Sequence, residues 1–370
     1  ARHERWANAT YTSQNTGINY VNWGTLAGPP YFEETVTEIF GKKNVAINSF
    51  TPTVFGGGSP TFSAAGLPPG ISINATTGVI SGTTDEVGDS SFTITTTGSN
   101  AAGEVRTASK TYLIKISDPE SSPYKVNFTT TGYTGSSTLN QFPVLIKFDS
   151  GISGFSYNSF ASATAGDLRF YGSNGEELPY EIESWDTSGQ SRVWVRAGAI
   201  EGNASVITAA WGDTSKTTAP DYVFNGSTWS NGYQAAWHFQ NMSGTTLIDS
   251  TANNRHLTAE GGPSTATGQV GNGIVLDGSN DQLEAIGYKG VTGSNARTVE
   301  MWIKTSDTND AFVSWGQDAS KKKWIFRGTD STGFLRTEIN GFSRESTTTT
   351  FNNDTWRHIA VSLPNNGRIY

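Results

Sequence analysis

Three carboxylates stand close together in the stretch EELPYEIESWDTSGQSRVWVR, residues 176–196: Glu181, Glu183 and Asp186. Paired carboxyls are the working parts of glycoside hydrolysis. One protonates the leaving oxygen, and in retaining enzymes the other attacks from about 5–5.5 Å away, the acid having a raised pKa. A strand puts alternate side chains on opposite faces, so Glu181, Glu183 and Trp185 share a face and Asp186 falls on the other. On the next strand Arg192, Trp194 and Arg196 share a face, while Val193 and Val195 point the opposite way. If TSGQ (187–190) is the hairpin loop, Glu181 sits opposite Arg196, Glu183 opposite Trp194 and Trp185 opposite Arg192. Each such pair contributes about 0.2–1 kcal/mol. A slip of one residue would set the polar groups against the valines, so the pattern selects its own register.

An arginine facing a carboxylate lowers its pKa, which is the wrong direction for a general acid. The i, i+2, i+5 spacing is similar to that of the catalytic strand of one group of β-glucan hydrolases, yet the hairpin lacks the acid they need. The expectation is a protein with no catalytic residues. Two readings of the hairpin face stay open. Its two tryptophans, two arginines and two acids could stack and hydrogen-bond a sugar, making Glu181, Glu183, Trp185, Arg192, Trp194 and Arg196 a ligand-binding set. Alternatively, the face is covered by a partner sheet or neighbouring domain, since tryptophans in sandwich domains usually pack inside.

Other catalytic parts are missing. The four histidines, His3, His238, His256 and His358, form no H-x-x-x-H pair and lie in no Gly-x-Ser-x-Gly setting, so neither zinc hydrolysis nor a serine triad is provided for. His238 and His358 fall inside strand patterns and read as structural. No glycine-rich phosphate loop precedes a helix.

The elements that must position these residues are strands. The 370 residues include 42 Gly and 13 Pro, with 12% aromatics, and short alternating runs broken by Gly and Asn recur throughout. That pattern predicts an all-β chain of tandem β-sandwiches. A net charge of -8 with no basic face excludes nucleic acid as a partner. Lys321, Lys322 and Lys323 form the one dense basic run and read as a solvated strand end. Without cysteine there are no disulfides and no thiolate metal sites. No run reaches the about 18 apolar residues of a membrane span, and residues 1–20 carry no apolar signal core.

Four segments follow. Residues 1–40 are a polar extension spotted with Trp6, Tyr11, Tyr20 and Trp23, in which only FEETVTEIF (32–40) could make a short helix or strand. Residues 41–118 contain the Leu67-Pro68-Pro69-Gly70 turn, inward Ile71 and Ile73, the NATTG turn, and period-two runs through Phe92 and Ile94, then Tyr112, Ile114 and Ile116. This segment resembles the immunoglobulin-like, cadherin-like repeat of bacterial surface proteins, which implies a spacer and contact module. SDPESSPYK (117–125) reads as a solvated linker; Asp118 and Glu120 as a calcium pair is the alternative. Residues 119–230 carry DLRF, LPYEIESWD, VWVR and WGD in order, with Val144, Ile146 and Phe148 alternating in FPVLIKFD. They resemble a bacterial β-domain of unknown function that commonly precedes laminin-G-like domains.

From 231 to 370 the runs AAWHF, DSTANNRHLT, GIVLDGSNDQLEA, TVEMWIKTS, FVSWG and DTWRHIAVSL appear in order, with Val299, Met301 and Ile303 on one face. Together they resemble a laminin-G/concanavalin-A-like jelly roll that stops short of its last strands, so the chain is expected to be a fragment or a processed piece. The resemblance implies calcium at a sheet rim. Oxygen-rich turns at Asp249 and Asn254 and at Asp277 and Asp281 are the candidate ligands, with Asx-turns that cap their own loops as the competing reading.

The expected function is therefore non-catalytic: an adhesin-like protein of the bacterial surface or medium that binds a glycan or a surface protein. Two alternatives remain. One is a subunit of an extracellular filament, sheath or surface layer that self-associates by edge pairing. The other is an accessory module of a larger polysaccharide-degrading enzyme.

Overall fold

A computed structural model describes residues 29–364, except 101, 318, 320–321, 330–332 and 340–341. Trp6, Tyr11, Tyr20, Trp23, His3 and Lys321 lie outside the described residues. The structure is all-β: strands joined by turns and single 3-10 turns, with no α-helix among the described residues. Among the described residues no helix is long and apolar enough to cross a membrane. The chain divides into two compact units.

The first unit holds residues up to Tyr180, with Thr187–Gln190 and Val195–Pro220. Its N-terminal part is built on a four-stranded sheet. Glu38–Lys42 runs parallel to Val105–Ser117, which pairs antiparallel with Gly88–Ser99, and that strand in turn with Thr61–Ala65. The period-two reading holds here. Phe92, Ile94, Tyr112, Ile114 and Ile116 are buried in one core with Ile39, Ile47, Ile71 and Ile80. FEETVTEIF contributes strand rather than helix.

The Leu67–Gly70 turn is where the sequence chemistry is most exacting. Gly70 has φ +80, and an added Cβ would lie 1.9 Å from the Thr83 carbonyl oxygen. Gly82 has φ +133, and its Cβ would meet the Gly70 oxygen at 2.0 Å. Only glycine allows two chain segments to approach so closely at positive φ. In the NATTG turn, the Asn74 side-chain oxygen accepts hydrogen bonds from the Thr76 and Thr77 amides, both at 2.9 Å.

The 117–125 segment is partly packed and partly solvated: Glu120, Ser121, Pro123 and Tyr124 are exposed. Pro119–Ser121 forms a 3-10 turn, Pro119 and Ser122 are buried, and the Ser117 hydroxyl donates to the Gly175 carbonyl at 2.7 Å. Asp118 accepts from Lys43 at 3.3 Å and Glu120 from Lys125 at 2.7 Å. Its acids meet lysines, and Pro119 opens the 3-10 turn with its φ already fixed.

The rest of this unit is organised by a three-stranded antiparallel sheet, Arg169–Gly172, Val206–Trp211 and Tyr124–Thr129. Phe148, Phe155, Phe160, Phe170, Tyr180 and Trp211 pack beside it as an aromatic core. The DLRF and WGD motifs explain each other. Buried Asp167 accepts from the amides of Ala161, Ser162 and Gly212 at 2.9, 3.0 and 2.7 Å. Buried Arg169 donates to the carbonyls of Gly166, Leu168 and Thr218.

The second unit gathers Glu181–Asp186 and Ser191–Trp194 with Asp221–Tyr370. One antiparallel sheet joins Trp237–Ser243, Thr246–Asp249, Leu257–Glu260 and Gln282–Glu284. A second joins Ala311–Gly316, Lys323–Gly328, Phe334–Ile339 and Phe342–Thr350. A ribbon of Arg297–Ile303 paired with Arg357–Leu363 turns Val299, Met301, Ile303, Ile359 and Val361 inward, onto Phe312, Trp315, Trp324 and Phe326 of the second sheet. The inward set on the first ribbon strand is the one its alternation predicts.

Candidate functional site

The carboxylate hairpin consists of the strands Tyr180–Ser184 and Ser191–Arg196. Val193 and Val195 are fully buried, while Arg192, Trp194 and Arg196 on the other face are half-buried. The loop is closed by Ser191, whose hydroxyl accepts from the Asp186 amide at 2.9 Å and donates to the Asp186 carbonyl at 3.3 Å. Asp186 thus serves the turn through its backbone.

Inside the second unit the acids are covered. Glu183 has a side chain 1% exposed. It accepts from Trp194 Nε1 at 2.8 Å on Oε2 and from the Gln240 amide on Oε1, and His238 Nδ1 lies 2.9 Å from its Oε2. Burial works against the charged form of Glu183, but the hydrogen bond and charge of His238, with the Gln240 and Trp194 hydrogen bonds, outweigh it and hold the carboxyl below its usual range. Glu181 accepts from Trp229 Nε1 and, at 2.6 Å, from the Ser250 hydroxyl; His238 Nε2 stands 3.9 Å from its Oε2.

His238 therefore lies between the two acids. Burial disfavours its cation, yet the Glu183 hydrogen bond and charge, followed by the charges of Glu181 and Asp249, raise its pKa. Two indoles enclose it, Trp229 with ring centroids 4.9 Å away and Trp194 at 5.9 Å. Trp194 and Trp229 themselves meet edge-on at 5.4 Å.

This arrangement has clear chemical limits. Glu183 is buried, meets three donors and is held toward its charged form, the opposite of the raised pKa a general acid needs. Both indole N–H groups are committed to carboxylates, and the two indoles meet edge-on and lie tilted against His238. Of the six hairpin-face residues, Glu183 is buried, while Glu181, Trp185, Arg192, Trp194 and Arg196 are half-buried. The cation that meets both acids here is His238 rather than an arginine. Sequence reasoning had placed His238 only as a structural strand residue, and the hint available was its position in AAWHFQ beside Gln240 on a polar strand face. Trp185 and Arg192 are half-buried in this unit. Arg196 lies in the first unit, where Glu176 and Glu38 act on it.

The oxygen-rich turns resolve differently. Asp249 is buried and its Oδ1 accepts from the Ala236 and Thr251 amides at 2.9 and 3.0 Å, while Oδ2 accepts from the Thr251 hydroxyl and the Arg255 amide, both at 2.8 Å. Four donors fill the about four acceptor positions of a carboxylate, which corrects the expectation of Asp249 as a calcium ligand. Asn254 takes positive φ and donates to the Ala252 carbonyl, as a turn residue does. Asp277 and Asp281 share an exposed turn: Asp281 accepts from the Asp277 amide at 3.0 Å, and Asp277 from the Ser279 amide at 2.8 Å. Among the described residues no group of three or more His, Cys, Asp or Glu side chains is placed to hold a metal ion.

Comparison with known proteins adds two local matches. Residues 33–117 match the family described as "Putative Ig domain". Residues 164–253 match a domain of unknown function, DUF2341. No curated protein matches the chain. Among solved structures, an α-galactosidase, itself described as putative, from Bacteroides fragilis shares 25% identity over 26% of this chain and 19% of its own, with a TM-score of 0.22. Protocadherin gamma B7 extracellular domains share 14% over 46% of this chain and 41% of theirs, at 0.22. The mixed-linkage glucan utilization protein SGBP-B of Bacteroides ovatus, solved with a heptasaccharide, shares 9% over 92% of this chain and 66% of its own, at 0.18. The chain spans about a fifth of the length of the first of these.

Proposed function

We propose that this protein is a non-catalytic recognition protein of the bacterial surface or surrounding medium, adhesin-like in design. In this reading the 33–117 module is a spacer, and the second unit contacts a glycan or a surface partner. The observation that carries it is the state of the one carboxylate pair with hydrolase-like spacing. Glu181 and Glu183 hold His238, two indoles, Gln240 and Ser250 together, and leave no free acid for bond cleavage. The immunoglobulin-like match over residues 33–117 supports an extracellular setting.

We read residues 231–364 as a laminin-G/concanavalin-A-like sandwich, supported by the ribbon packing its inner face on a four-stranded sheet. If calcium contributes, the exposed Asp277–Asp281 turn is its place, since Asp249 is saturated. The test is a glycan array together with a cell-surface pull-down using the full chain. Selective capture of a glycan or surface protein is expected. Silence in both, or hydrolysis of an array glycan, would sink the reading.

A further inference from the structure

Trp302 is 44% exposed, the one tryptophan among the large exposed hydrophobics of the described residues. It sits on the outer face of the Arg297–Ile303/Arg357–Leu363 ribbon, whose inner face is the apolar core already described. Alternation puts Thr298, Glu300 and Trp302 outward on one strand. The register sets Ser362 opposite Thr298, Ala360 opposite Glu300 and His358 opposite Trp302. The Thr298 and Ser362 hydroxyls are 2.9 Å apart, and His358 Nε2 lies 3.5 Å from Glu300 Oε2. The His358 ring is tilted 58° to the indole at 5.3 Å between centroids, so it flanks Trp302 rather than capping it.

We propose that this face binds an oligosaccharide, with the Trp302 indole as stacking platform. The proposal rests on the recognition reading above and names its site. Two features favour a sugar over a protein partner. The outward apolar surface is a single indole next to small Ala360, whereas a protein interface centres on a contiguous cluster of apolar anchors. Around that indole stand hydroxyls, a carboxylate and an imidazole, the few placed polar groups that orient a ligand rich in hydroxyls. From Thr298 to Trp302 the row runs about 13 Å at about 3.3 Å per residue, a length suited to several linked rings. The sugar-stacking role expected of the carboxylate hairpin is here assigned to a ribbon whose tryptophan is 44% exposed.

The experiment uses the full chain on native affinity gels cast with soluble β-glucan, mannan, xylan or galactan, with tryptophan fluorescence on the polysaccharide that retards it. Retardation by at least one polysaccharide is expected, with a shift in tryptophan emission. Trp302→Ala should weaken binding at least tenfold and leave the thermal unfolding temperature unchanged, because the side chain is half in solvent; Trp302→Phe should restore part of the binding. If the wild type binds and Trp302→Ala binds equally well, the site is wrong while the recognition reading stands. If no polysaccharide retards the wild type, the sugar assignment is overturned, and a positive surface pull-down would then leave a protein partner as the ligand.

Discussion

His238 Nδ1 lies 2.9 Å from Glu183 Oε2, and the opposite ring nitrogen lies 3.9 Å from Glu181 Oε2. One imidazole thereby joins two acids of the same strand to the polar strand Trp237–Ser243. The link has a structural output: it ties Glu181 and Glu183 to that strand within the second unit.

This link makes stability depend on pH from both sides. The His238 pKa is raised above 6.5, so its contribution is complete below about 6.5 and is lost as pH rises through the raised value. The Glu183 pKa is lowered from 4.5, so its contribution is complete above about 4.5 and is lost as pH falls through the lowered value. Thermal unfolding followed by circular dichroism should therefore peak between about pH 4.5 and 6.5. In His238→Gln the decline on the alkaline side should flatten; an unchanged alkaline limb would show that another group sets it.

Removing the buried charge should be costly. Glu183→Gln leaves the His238 cation without its partner and is expected to destabilise by about 3 kcal/mol, in the range for breaking a buried pair. Glu181→Gln, at a side chain 24% exposed, should cost about 1 kcal/mol. Urea unfolding of the two variants checks the order, and a Glu183→Gln/His238→Gln cycle should show a coupling above about 1 kcal/mol.

Asp249 is expected to be a structural hub whose loss is indifferent to calcium. Asp249→Ala orphans three backbone amides and a hydroxyl and should cost about 2–4 kcal/mol. The melting temperature of the wild type should be the same in calcium and in chelator; a rise with calcium that is lost in Asp249→Ala would restore the metal reading.

The Gly70 and Gly82 contacts set a fourth test. Gly70→Ala and Gly82→Ala each force a Cβ to within about 2 Å of a backbone oxygen at positive φ, and each should destabilise the 33–117 module by more than about 2 kcal/mol. Limited proteolysis should then cut within that module first. Gly88→Ala, where a Cβ would meet nothing within 4 Å although φ is +122, should cost less.

Much of this was readable from residue order, because it depends on neighbours one to four positions apart. The alternation of Phe92 and Ile94, of Tyr112, Ile114 and Ile116, and of Val193 and Val195 fixed which side chains face inward. Leu67-Pro68-Pro69-Gly70 and NATTG announced their turns, and Val299, Met301 and Ile303 announced the inner face of the ribbon. What lies opposite an outward face is a different matter. Glu181 and Glu183 meet Trp229, His238, Gln240 and Ser250, which are 48, 55 or 57, and 69 positions away along the chain, and no local period encodes that meeting. The same holds for Trp194 and Trp302: both sit in strands with alternating faces, yet one is enclosed beside His238 and the other is 44% exposed. Strand periodicity determines the face on which a side chain lies, and only the packing of distant segments decides whether that face is covered.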